Sequence, residues 1–156
     1  MQKNLSLIQL YLRIGLGASY LCAGLDRLGV WGPPGGARIS WGDWQHFMDY
    51  AYKLLFFLPY GLASLVAGIA TGAEIIFGVL LILGLLTRWA AIGSGILLLF
   101  FALSMTVALG IQAPLNYSVF TASAASFLLS TLPAYKWSLD GILNKKRPAY
   151  QTSDLY

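Results

Sequence analysis

The sequence predicts an all-α integral membrane protein: a bundle of four spanning helices, with an additional interfacial amphipathic helix in the first external loop. Three observations carry that prediction. Hydrophobic residues make up 58% of the 156-residue chain and charged residues only 10%, whereas a soluble domain is about one-quarter charged. Four apolar runs cover about 5–25, 60–86, 89–111 and 114–135. At a rise of about 1.5 Å per residue, each is long enough to cross a hydrocarbon layer of about 30 Å. Many of the five Trp and nine Tyr lie near the ends of these runs, where aromatic belts anchor spans at the headgroup level. The lipid bilayer is therefore the first expected partner. The length suits one domain, a transmembrane unit over 1–144 followed by a polar tail over 145–156.

The first run carries one charge, Arg13. Its length and that interrupting charge argue for an uncleaved span rather than a signal peptide, and Leu21 before Cys22 does not suit a lipoprotein cleavage site. The link that follows is long. Gly32-Pro-Pro-Gly-Gly36 forces non-helical backbone in its first half. Over about 43–58, Trp44, Phe47, Met48, Ala51, Leu54, Leu55 and Leu58 recur at helical spacing, with polar residues elsewhere on the wheel. Such a helix lies in the interface or lids the bundle, and it stops before Pro59.

The second run carries only Glu74, and the third none. Thr87-Arg88 is the whole link between them, so they form an antiparallel hairpin. The fourth run is rich in small residues, Thr121-Ala-Ser-Ala-Ala-Ser126. Lys3, Arg88, Lys136, Lys145, Lys146 and Arg147 fall on one side of this topology, against Arg27, Arg38 and Lys53 on the other. The excess of Lys and Arg places both termini in the cytoplasm. It also explains the net charge of +4 as a topology signal rather than a nucleic-acid-binding face.

Ionisable groups near a bilayer centre cost roughly 2.5–3.5 kcal/mol on insertion scales and usually pair or mark a site. Arg13 and Glu74 are therefore the leading candidates for chemistry. Counted from their own run ends, Arg13 lies about 12 Å deep and Glu74 about 18 Å deep on the same side, so the expectation is a charge-assisted Arg13–Glu74 contact. Gly17, Tyr20, Gly24 and Arg27 share a helical stripe with Arg13, and Asp26 adjoins its outer end. Ala67, Thr71 and Gly78 share one with Glu74. Small residues on such stripes let helices pack closely. The pair either fixes helix register alone or lines a polar cavity.

Around that pair, Tyr20, Asp26, Arg27, Trp44 and Asn116 are the candidate binding residues. Trp44 enters as part of a lid, Trp41-Gly-Asp-Trp44, and Asn116 as a cap or cavity residue. Cys22 falls on the opposite side of the wheel from Arg13 and is expected to pack against apolar surroundings. One cysteine allows neither an internal disulfide nor a C-x-x-C site. One histidine, His46, excludes bis-histidine haem ligation, and the ligands of a zinc site are missing. Electrons, if handled, must reside on a substrate, a quinone or a partner subunit.

Leu12-Arg-Ile-Gly-Leu-Gly17, Tyr20-Leu-Cys-Ala-Gly24 and Leu28 resemble the first helix of the DoxX family of small membrane proteins. Glu74 and Gly78-Val-Leu-Leu-Ile-Leu-Gly84-Leu-Leu-Thr87-Arg88-Trp-Ala-Ala91 resemble its second helix and turn. Asp26-Arg-Leu-Gly-Val-Trp-Gly32, Trp41-Gly-Asp-Trp44 and Phe57-Leu-Pro59 are similar to a subgroup with a longer external loop. The likeness spans roughly residues 9–100. It implies a four-helix bundle in a bacterial or archaeal cytoplasmic membrane. It also implies a quinone-linked redox role, since some relatives are membrane subunits of a thiosulfate:quinone oxidoreductase and others associate with oxidative-stress proteins. The family has no shared catalytic motif, but Arg13 and Glu74 match its charged positions.

The leading functional expectation is thus a quinone-linked component acting with a small, anionic, sulfur-type donor or a partner redox subunit. Quinone is the non-covalent cofactor that reading requires, and no metal is expected. The alternatives are a small-solute channel or transporter, and a structural or assembly subunit, including a homodimer packed through the small residues of the third and fourth spans.

Overall fold

The computed structural model describes residues 2–145; the expected polar tail lies outside these from residue 146 onward. The described residues form helices and no strands. In chain order they are α1 (Gln2–Arg27), α2 (Trp44–Leu54), α3 (Tyr60–Leu83), α4 (Thr87–Leu109), α5 (Gln112–Asn116), α6 (Val119–Ser130) and α7 (Leu139–Lys145). Helices α1, α3, α4 and α6 form a closed ring, with α1 packed on α3, α3 on α4, α4 on α6 and α6 back on α1. Three of these are apolar enough and long enough to cross a membrane, over Leu5–Arg27, Tyr60–Leu83 and Thr87–Leu109. The molecule is a four-helix membrane bundle. Ile69, Ile76, Phe100 and Val107 point outward from it, as lipid-facing side chains do.

The fourth member is not one continuous helix. After α4 stops at Gly110, α5 makes a short turn around Pro114. Ser118 then takes a left-handed conformation (φ 54°) before α6 begins. At about 1.5 Å per residue, the 12 residues of α6 are about 18 Å long, well short of the expected 114–135 span.

Helices α1 and α3 run antiparallel at very close range. A Cβ on Gly17 would lie 2.9 Å from the Gly78 carbonyl oxygen, and one on Gly78 would lie 3.0 Å from that of Gly17. Higher on the crossing, Gly24 faces Ile75 and Thr71; at the opposite end, Gly84 faces Arg13. These contacts set the register of the whole pair. The bundle interior is filled by Leu16, Tyr20, Leu81, Ala90, Ala91, Leu98 and Leu129.

The hairpin turn closes as a C-terminal cap. Gly84 is left-handed (φ 66°), and the Gly84 and Leu85 N–H groups donate to the Leu81 and Leu80 carbonyls. The start of α4 is capped from a distance: the Asp140 carboxylate accepts from the Leu86 and Thr87 N–H groups, at 2.8 Å each. A carboxylate there satisfies orphan donors and complements the positive end of the helix dipole.

At the other end, the link after α1 is folded down onto the bundle. The Asp26 carboxylate accepts from the Ser40 and Trp41 N–H groups at 3.0 Å each. Helix α2 starts at Asp43, whose side chain accepts from the His46 N–H. It buries Phe47, Met48 and Ala51 against Ala67 of α3, with Trp41 and Trp44 packed around them. The helix is shorter than 43–58 because Leu55 leaves the helical conformation, and a turn leads to Pro59.

Candidate functional site

Glu74 does not meet Arg13. Its carboxylate is paired with the Arg27 guanidinium, and Arg27 Nη1 also donates to Thr71 Oγ1 at 3.0 Å. The expected Arg13–Glu74 contact is corrected by the helix register. Because α1 and α3 are antiparallel, the Gly17–Gly78 contact puts Arg13 level with Gly84 and leaves Glu74 near Gly24. Arg27, at the end of α1, reaches back to Glu74.

Glu74 is 4% exposed and Arg27 7%. Two aromatic rings cover the guanidinium, with Arg27 Cζ 4.3 Å from the Phe47 centroid of α2 and 5.8 Å from that of Phe101 on α4. A desolvated guanidinium over aromatic faces gains cation–π attraction, and the Glu74 carboxylate balances its charge. Arg27 Nε is buried without a partner, so the guanidinium retains an unused donor.

Of the other expected site residues, Tyr20 is buried deeper on the same stripe. Its hydroxyl lies 2.6 Å from Ser126 Oγ of α6 and close to Ser94 of α4. Asp26 adjoins the pair through the chain, yet it serves the link above: one oxygen takes the two backbone donors, and Oδ1 is buried without a partner. Trp44 reaches the site only through Phe47, with ring centroids 5.3 Å apart. Asn116 ends α5 at an exposed position and joins neither charge. Cys22 is exposed on the outer side of α1.

Arg13 belongs to a separate cluster at the end where the α3–α4 turn meets the stretch leading into α7. It is 1% exposed. Its Nη2 donates to the Trp137 carbonyl at 2.6 Å, and Gln9 Nε2 donates to the Lys136 carbonyl at 2.9 Å. These two side chains bind the stretch after α6 to α1.

An apolar cavity of about 410 Å³ opens beside the Arg27–Glu74 pair, between α2, α3 and α4. Ala51, Leu54, Ala67, Ala70 and Phe101 are among its walls. Phe101 is the shared element, since it lines the cavity and also faces Arg27. Sequence reasoning missed Phe47 and Phe101 as neighbours of the charges and Ser126 as the partner of Tyr20. Phe47 was visible as part of an amphipathic face, but Phe101 sits in an unbroken apolar run that singles out no residue.

The family model for DoxX matches residues 8–107, well over half of the chain and including Arg13, Arg27, Thr71, Glu74 and Phe101. The chain belongs to the DoxX family. Neither a curated protein nor a solved structure matches this DoxX protein. As an apolar helical bundle of this family it is an integral membrane protein with several spans. Among the described residues, no group of three or more His, Cys, Asp or Glu is placed to hold a metal ion.

Proposed function

We propose that this DoxX protein is the quinone-binding component of a membrane redox system in a cytoplasmic membrane, with both termini cytoplasmic. It would work with a small anionic donor of the sulfur type or with a partner redox subunit. The observation that supports this reading is the meeting of two unlike environments at Phe101, whose ring faces the buried charged pair and which also lines an open, apolar cavity. A ligand with a polar ring and an isoprenoid tail needs that combination. Bound quinone would supply two-electron redox chemistry that this chain's side chains lack.

Within that reading, Thr71, Glu74 and the free Nε of Arg27, which lie beyond the cavity wall at Phe101, would hold and orient the polar ring. Ala67, Ala70 and Phe101 would receive the tail. Helix α2 excludes loop-side water by seating Phe47 on Arg27, so the pair keeps its strength in a low-dielectric setting. A solute path along the bundle axis finds less support, because Leu81, Ala91, Leu129 and the Tyr20–Ser126 contact fill it.

The test is retention and binding of quinone. Protein purified in mild detergent should carry quinone in its lipid extract, and a short-tailed quinone should bind back after delipidation. Ala70→Leu, which narrows the cavity, should weaken that binding while the bundle stays folded. Preparations that hold no endogenous quinone and bind none when it is supplied would refute the proposal.

A further inference from the structure

A second cavity, of about 1130 Å³, lies at the opposite end of the bundle, between the α3–α4 turn and the stretch leading into α7. It exceeds the roughly 300–1,000 Å³ of ordinary small-molecule pockets and is independent of the site above. Its polar lining includes Arg88, Lys136, Ser138 and Thr87. Thr87 is completely buried, and its hydroxyl has no partner. Behind that wall sits the Arg13 guanidinium, against Gly84 and Ser138, with Nε and Nη1 also unpartnered. The one acidic side chain there, Asp140, already accepts two backbone N–H groups at the start of α4. Two cations, Arg88 and Lys136, therefore line the space with Arg13 behind its wall, and among the described residues the one carboxylate in the lining already accepts two backbone donors.

The rest of the lining is apolar and outward-facing. Trp89 is 70% exposed and Trp137 62%, and Leu83, Leu86 and Ile142 are exposed beside them. These residues lie where the spanning segments Tyr60–Leu83 and Thr87–Leu109 end and begin, and exposed tryptophans at span ends favour the headgroup level. A site with cations and a free hydroxyl inside, and tryptophans and aliphatic side chains at its mouth, matches a phosphate carrying acyl chains. We propose that this cavity binds the headgroup of an anionic phospholipid, its phosphate held by Arg88, Lys136 and the Thr87 hydroxyl, its chains passing over Trp89 and Trp137 into the bilayer.

The experiment is native mass spectrometry of the full chain, released from micelles doped equally with phosphatidylglycerol and phosphatidylcholine. Phosphatidylglycerol should be retained preferentially. A basic residue near a membrane surface is worth about fivefold in affinity, so Arg88→Gln with Lys136→Gln should cut that retention roughly tenfold or more. Arg38→Gln with Lys53→Gln, at the far end, should leave it intact. Inorganic phosphate should fail to displace the lipid; displacement at modest concentration would show a site for free phosphate and overturn the lipid assignment. Equal retention of the two lipids would overturn it as well. Should the double variant fail to fold, the unaltered protein still decides the matter: brominated phosphatidylglycerol in phosphatidylcholine vesicles should quench tryptophan emission more than brominated phosphatidylcholine does at equal content. Equal quenching counts against the site.

Discussion

At the scale of single residues, the pairing of Glu74 has a sharp energetic consequence. Removing one member of a buried ion pair leaves the other charge uncompensated, at a cost of about 3–5 kcal/mol, whereas replacing both with apolar groups is often neutral. Arg27→Leu and Glu74→Leu should each lower thermal stability in detergent strongly, and the double variant should recover most of the loss. A double-mutant cycle should give a coupling of at least about 1 kcal/mol between positions 27 and 74, and within about 0.5 kcal/mol of zero between 13 and 74. Circular-dichroism melting of the five variants measures both, and a large coupling at 13 and 74 would contradict the register described above. Both members of the true pair were legible in the sequence as charges in or beside apolar runs. So was the buried stripe of Arg13, Gly17, Tyr20, Gly24 and Arg27. The partner was not legible, because depth counted from the ends of each run assumes that the runs begin and end at the same level. Packing sets the level, and here Gly17 against Gly78 sets it.

At the scale of elements, close approach and capping decide which segments hold. Gly78→Ala places a methyl 2.8 Å from the Leu21 side chain and 3.0 Å from the Gly17 carbonyl. Overpacking of this kind costs about 1–3 kcal/mol. Gly15→Ala meets nothing within 4 Å and should be neutral or gain up to about 1 kcal/mol from helix propensity. Melting temperatures of the two variants should therefore move in opposite directions or differ clearly. Helix α2 carries a pH dependence of its own. The His46 N–H, and then the His46 ring, hold the Asp43 carboxyl below its usual range. A depressed folded-state value means that the cap's contribution is present above the ordinary carboxylate range and is lost as pH falls through the lowered value. Amide protection in the first turn of α2, taken relative to the intrinsic exchange rate at each pH, should fall only in that acidic window, and Asp43→Asn, which still caps, should abolish that pH dependence. The amphipathic pattern of α2 was legible because Phe47, Met48 and Ala51 repeat at helical spacing. The break at Ser118 was not, since a serine in a left-handed conformation carries no sequence signal comparable to glycine.

At the scale of the whole molecule, the fold sorts its charges into two separate ends. The Arg27–Glu74 pair and the Asp26-anchored link occupy one, and Arg13, Arg88, Lys136 and Asp140 occupy the other. The spans that separate them contain no further charge, so the distribution of Lys and Arg between the ends is what biases orientation. In the sequence that distribution favours the flank of α1, the α3–α4 turn and the flank after α6. It follows that the link should face the exterior and the α3–α4 turn the cytoplasm. The sequence contains one cysteine, Cys22, so a Cys22→Ser background is free of thiols and new ones can be read singly. In intact cells, a membrane-impermeant maleimide should label Arg38→Cys, on the link, and leave Lys136→Cys unlabelled until the membrane is opened. Both positions are exposed, so a difference between them reports sidedness rather than burial. The reverse pattern would place the anionic-lipid cavity in the outer leaflet and the charged pair toward the cytoplasm. It would also show that charges at positions 3, 88 and 136 do not govern insertion of this bundle.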